Sequence, residues 1–314
     1  MNIEESSLEK VIGAYDSIGS EARNMEYLAK WVYDIYERLF YLPSINLTYK
    51  RKLALDKSKL SIFAILVDDL ADNSNLRDLD LMDKAIKIPW DADKECQNAY
   101  LETTREIWLD AINSIKQYPR YNEFKDIFYF DMGQFLHAIR YSYLINTMEM
   151  DNDVETKMYS YHNMMIIVFM TMDLMCSPAF EKKELKSVRP VFHYMQDICH
   201  IGNILSTYKR EIREHDYSCP LISMGLRKEI IDKKTIEEYP EVAEEKLKPL
   251  EEYFRRRAED NFSKIQKAET EIKSVDINEF RIKLRKVYEA FLERDKYWEL
   301  QKDGDSKQTS SIPG

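Results

Sequence analysis

Residues 20–41 (SEARNMEYLAKWVYDIYERLFY) place Leu28, Trp31, Val32, Ile35 and Leu39 at three- and four-residue spacing, which predicts an amphipathic helix. Lys50 to Asp72 predicts a second helix, whose run Ser61-Ile-Phe-Ala-Ile-Leu-Val67 leaves no polar face. A helix apolar on every side is buried on every side. Further helices are expected over 93–117, 121–148, 155–176, 187–215, 234–274 and 277–301, separated by breaks such as Tyr118-Pro119 and Ser177-Pro178. No strand-like alternation competes with them. The stretch 234–274 is dense in Glu, Lys and Arg and is expected to be a solvated helix face laced with i,i+4 pairs. Residues 302–314 (KDGDSKQTSSIPG) lack apolar content and are expected to form a disordered tail. The pattern predicts an all-α fold: one domain over 1–301, a bundle of antiparallel helices around an apolar cavity.

Composition narrows what such a bundle can do. Of 314 residues, 44% are hydrophobic, enough for a large core, and only 7 are glycine. No two glycines stand at the spacing of a Rossmann or P-loop phosphate cradle, so any phosphate must be held by side chains and metal. A net charge of -10, with Lys and Arg interleaved among Asp and Glu, argues against a nucleic-acid partner. No apolar run reaches 18 residues and the start, MNIEESSLEK, is acidic, so a cytoplasmic rather than membrane protein is expected. Cys96, Cys176, Cys199 and Cys219 form no C-x-x-C pair and are expected to be reduced core thiols.

Two clusters carry candidate chemistry. Asp68, Asp69 and Asp72 follow directly on the Ile62–Val67 run, at the C-terminal end of a buried helix. The helix dipole is negative there, so each carboxylate is unfavourable by up to about 1 kcal/mol unless a cation compensates. Asp68 and Asp72 share a face and suit Mg²⁺, which takes a few carboxylates together with water and phosphate oxygens. Downstream, Asn203, Thr207 and Glu211 form one row on a helix, spaced by four. Amide, hydroxyl and carboxylate are all hard oxygen ligands, and the adjacent Arg210 offers a fork suited to diphosphate. From average residue usage the first pattern arises by chance in roughly one chain in twenty and the second in roughly one in ten. Their joint occurrence is the stronger signal.

Asp68-Asp69-Leu-Ala-Asp72 resembles the aspartate-rich motif of class I terpene synthases, and Asn203/Thr207/Glu211 resembles their second metal motif, N/D-x-x-x-S/T-x-x-x-E. The order, the 135 residues between Asp68 and Asn203, the chain length and the helical reading look like a single-domain microbial member, over about residues 20–300. The resemblance implies that Asp68, with Asp72, binds two Mg²⁺ ions and that Asn203, Thr207 and Glu211 hold a third, Mn²⁺ being a substitute. It implies an isoprenyl diphosphate substrate, ionised and then cyclised or rearranged in a dry pocket, with Phe63 as a pocket member. The family's C-terminal Arg-Tyr pair corresponds to Lys296-Tyr297, with Lys in place of Arg, and its diphosphate-sensing Arg falls in register with Lys157. The stretch Gly133-Gln-Phe-Leu-His-Ala-Ile-Arg140-Tyr-Ser-Tyr is similar to small bacterial enzymes acting on C20 diphosphates. That points to a geranylgeranyl or copalyl-type substrate, farnesyl diphosphate next, and, if copalyl-type, to an upstream class II cyclase. A homodimer is compatible with the resemblance. The alternatives are a chain-elongating prenyltransferase, which would carry a second D-D-x-x-D, and a non-catalytic helical binding protein.

Overall fold

The structure is a computed structural model that describes residues 3–19, 24–92 and 98–302, with side chains from Ser6 to Glu293 within those ranges. Among the described residues there are fourteen α-helices and no strand. In chain order they are α1 (Ile3–Asp16), α2 (Met25–Arg38), α3 (Lys50–Asp72), α4 (Leu79–Ala85), α5 (Ile88–Asp91), α6 (Ala99–Ile115) and α7 (Tyr121–Met148). After them come α8 (Asp153–Tyr159), α9 (Ile166–Met175), α10 (Leu185–Glu214), α11 (Pro220–Arg227), α12 (Lys233–Glu238), α13 (Pro240–Ala268) and α14 (Ile277–Lys302). Among the described residues no helix is long and apolar enough to cross a membrane.

One apolar core runs from Leu8 in α1 to Phe291 in α14. Two long helices organise it. Helix α3 packs against α1, α2, α6 and α7, and α10 packs against α9, α13 and α14. Both are buried over most of their length, as the unbroken apolar run in α3 requires. Helix α13 has the opposite character. Its stripe Ala243, Leu247, Leu250, Phe254, Ala258, Phe262 and Ile265 is buried, mainly toward α10, while Arg256–Glu252 (2.7 Å) lies on its exposed side.

Three departures from the expected elements have identifiable causes. Residues 3–16 form α1, because Leu8, Val11, Ile12 and Tyr15 give an otherwise acidic segment a buried face. The helix expected over 155–176 is broken into α8, a 3-10 turn (Ser160–Met164) and α9. The break falls on Met165, at φ 55° in the left-handed region, without any glycine. Tertiary bonds hold it: Gln196 of α10 accepts from the Ile167 N–H at 3.1 Å, its Nε2 lies 3.4 Å from His162 Nδ1, and Tyr161 Oη lies 3.0 Å from His193 Nδ1. The stretch 234–274 divides at Pro240, which opens α13 at a position where its missing N–H costs nothing. The tail expected over 302–314 falls, beyond Lys302, outside the described residues.

One buried ion pair ties the bundle together at a single level. Lys57 Nζ of α3 lies 2.7 Å from Asp173 Oδ1 of α9 and donates to the Phe40 carbonyl at 2.9 Å. Asp173 Oδ2 accepts from the Leu42 N–H at 3.0 Å, so the chain leaving α2 is fastened between α3 and α9. Both side chains are sealed from solvent, so removing one partner strands an uncompensated charge. Lys57→Met or Asp173→Asn is therefore expected to cost about 3–5 kcal/mol in urea unfolding, and replacing both by apolar residues should cost less than either alone.

Candidate active site

A cavity of about 200 Å³ lies between α2, α3, α7, α9, α10 and α14. Its polar end is made where the C-termini of α3 and α10 converge. Asp68 and Asp72 line it from α3, and Asn203, Thr207, Arg210 and Glu211 line it from α10, so both clusters recognised in the sequence face one space. Its remaining wall is mostly apolar and aromatic, with Trp31, Tyr36, Phe40, Phe135, Phe169 and Phe291 among its members. Gly202, beside Asn203, lets α14 approach: a Cβ there would lie 3.0 Å from Phe291 Cβ. The Phe291 ring then stands edge-on to Trp31, centroids 5.3 Å apart.

Helix phase sorts the expected residues into those that reach the cavity and those that do not. Ala64, Ile65 and Ser61 precede Asp68 by four, three and seven residues, share its face and line the cavity with it. Phe63 precedes it by five residues, roughly 140° around the helix. It is not a cavity residue; it is fully buried against Trp108 of α6, ring centroids 5.2 Å apart. Asp69 is likewise turned away and accepts from Tyr15 Oη of α1 at 2.8 Å. Lys157 is exposed on α8 and does not line the cavity, because the break at Met165 re-aims the segment. That break instead brings Ser160, Asn163 and Met164 to the wall. Arg140 points outward to Asp83, while Phe135 and Ser142 of the same helix line the cavity. The side chains of Lys296 and Tyr297, and Cys96, lie outside the described residues. Cys176, Cys199 and Cys219 are buried free thiols, as expected.

The cavity also holds residues that the motifs did not announce. Asp216 follows His215, which ends α10 in the left-handed conformation, and lines the polar end. Its Oδ1 accepts from the Ser218 N–H (2.9 Å), Ser218 Oγ (2.7 Å) and Asn146 Nδ2 (3.0 Å). The same Asn146 amide and Ser218 hydroxyl reach Asp72 Oδ1 at 3.3 and 3.4 Å, so they bridge the two helix ends. The local signal was Asp216-Tyr-Ser218, an Asx turn just past a helix, although nothing in that turn reveals that it meets α3.

Among the described residues that line this end, carboxylates outnumber cations. Among the described residues lining the cavity, Asp68, Asp72, Glu211, Glu214 and Asp216 face a single cation, Arg210. Arg210 pairs with Glu214 and lies 3.6 Å from Glu211. Arg77 caps α3 through the Ala71 and Asp72 carbonyls at 2.9 and 3.1 Å, and so relieves the helix pole rather than the carboxylates. Burial, followed by the carboxylates of Asp216, Asp68 and Glu211, pushes Asp72 well above the ordinary range. Burial also raises Glu211, with Arg210 opposing it.

This donor set fits Mg²⁺. Its carboxylates, amide and hydroxyl are all hard oxygen donors. Among the described residues no three His, Cys, Asp or Glu side chains converge as a ready-made metal site. The chain matches no known family model and no curated protein sequence.

Between about pH 4, where carboxyls of the unfolded chain titrate, and the raised values of Asp72 and Glu211, the folded protein holds protons that the unfolded chain has lost. Without metal, stability should fall as pH rises across that window. Melting curves should show this slope, flattened in Asp72→Asn, and Mg²⁺ added together with inorganic diphosphate at pH 7 should restore the wild-type melting temperature.

Proposed function

We propose that the chain ionises an isoprenyl diphosphate at the polar end of this cavity and cyclises or rearranges the carbocation in its apolar part, as class I terpene synthases do. The observation that supports this reading is the joining of two oxygen-ligand rows, from α3 and α10, to one aromatic-walled cavity. Asp68 and Asp72 would hold Mg²⁺ from one side, and Asn203, Thr207 and Glu211 from the other. Bound there, Mg²⁺ would supply positive charge against the diphosphate as it departs.

The side chains account for the remaining steps. Arg210 exchanges its present carboxylate partners for diphosphate oxygens, for which its planar fork is suited. The C–O bond breaks with its electron pair leaving on the diphosphate, so no protein nucleophile is needed. Trp31, Phe169 and Phe291 present aromatic surface to the cation, and the apolar wall excludes water until a proton is lost or a water captured. A C20 diphosphate, geranylgeranyl or copalyl-type, is the first substrate to test, and farnesyl diphosphate the next.

The purified protein with Mg²⁺ should release inorganic diphosphate from at least one of the C10, C15, C20 or copalyl-type diphosphates and form a hydrocarbon or alcohol. No release from any of them would falsify the reading. Asp68→Ala or Glu211→Ala should lower turnover by about 10²- to 10³-fold or more while leaving helix content unchanged by circular dichroism.

A further inference from the structure

At the end of the cavity away from the carboxylates, the aromatic lining includes a braced residue, Tyr36. Ser61 precedes Asp68 by seven residues on α3, two turns or about 10 Å deeper along the helix axis, on the same face. Its hydroxyl donates to the Lys57 carbonyl at 3.0 Å, so the 2.8 Å contact between Ser61 Oγ and Tyr36 Oη is a bond donated by the tyrosine. Tyr36 thus reaches from α2 across to α3 beneath Ala64 and Ile65. Its ring meets Phe169 edge-on at 5.2 Å and Phe40 at 6.0 Å. Phe40 is itself fixed, because its carbonyl accepts from the buried Lys57. Burial raises the Tyr36 hydroxyl, so it stays protonated as a donor. Tyr36, Phe40, Ser61 and Phe169 all line the cavity.

We propose that Tyr36 is the floor on which the substrate's hydrocarbon chain stops, and that it fixes how many isoprene units the cavity accepts. The inference rests on the reading of the polar end as a diphosphate site. With the diphosphate held between Asp68 and Glu211, the hydrocarbon runs toward Ser61, and a ring braced by a hydrogen bond and two aromatic neighbours cannot give way. Length selection therefore resides in the bulk of the ring. The hydroxyl only orients it.

The test uses unreactive isoprenyl thiodiphosphates of 10, 15, 20 and 25 carbons, titrated with Mg²⁺ by calorimetry into wild type, Tyr36→Phe, Tyr36→Leu and Tyr36→Ala. Diphosphate release from the matching oxygen substrates is measured alongside. Wild type should show a length beyond which affinity falls. Tyr36→Ala should raise affinity for the first excluded length by about tenfold or more, and Tyr36→Phe should leave the limit where it is. Tyr36→Leu, also smaller but apolar, should move the limit in the same direction and serves should the alanine variant not fold. A uniform loss of affinity at every length with the limit unmoved, or a limit moved by Tyr36→Phe, would overturn the proposal. A limit that moves in a protein releasing no diphosphate would sink the synthase reading alone. Failure of wild type to bind any thiodiphosphate would sink both.

Discussion

The meeting of two helix C-termini is the constraint around which the molecule is organised. Helices α3 and α10 each end with carboxylates at a pole where the backbone is already negative, and the fold directs both ends into one partly buried space. Internal groups relieve only part of this. Arg77 takes the free carbonyls of α3, Asn146 and Ser218 bridge Asp72 to Asp216, and the raised Asp72 and Glu211 carboxyls register what is left over. An excess of this kind is tolerated where an external cation completes the balance.

The opposite end of the cavity treats charge in the reverse manner. There Asp173 is matched by Lys57, and the remaining hydrogen-bonding capacity of the pair goes to the backbone at Phe40 and Leu42. A carboxylate with its cation supplied internally braces structure. Helix α3 carries both situations on one rod, Lys57 below and Asp68 with Asp72 above, so the braced end supports the carboxylate end. Tyr36 and Ser61 lie between them.

Much of this was legible in the chain. Helix existence followed from hydrophobic spacing, since a 3.6-residue period survives in any tertiary setting. The two oxygen-ligand rows were legible because spacing by four fixes a common face before any neighbour is known. Phe63 and Asp69 were misplaced through the same geometry: five residues and one residue from Asp68 carry a side chain to other faces, toward Trp108 and Tyr15. The break at Met165 was not legible, because no glycine or proline marks it and the bonds that stabilise it come from Gln196 and His193, far along the chain. Lys157 was assigned to the site by its register with the family's diphosphate-sensing Arg, and in the fold it is exposed on α8.

The sequence by itself determined most of the long helices and which side chains share a face on each, because those are short-range properties of a helix. It determined that Asp68 with Asp72, and Asn203 with Thr207 and Glu211, form two rows of oxygen-bearing side chains, each on one helix face. Only the tertiary structure decided that the two rows face each other, that Asp216 joins them, and that Tyr36 and not Phe63 meets the cavity. Those outcomes depend on contacts between residues tens to more than a hundred positions apart. Local periodicity carries no information about which helix end will meet which.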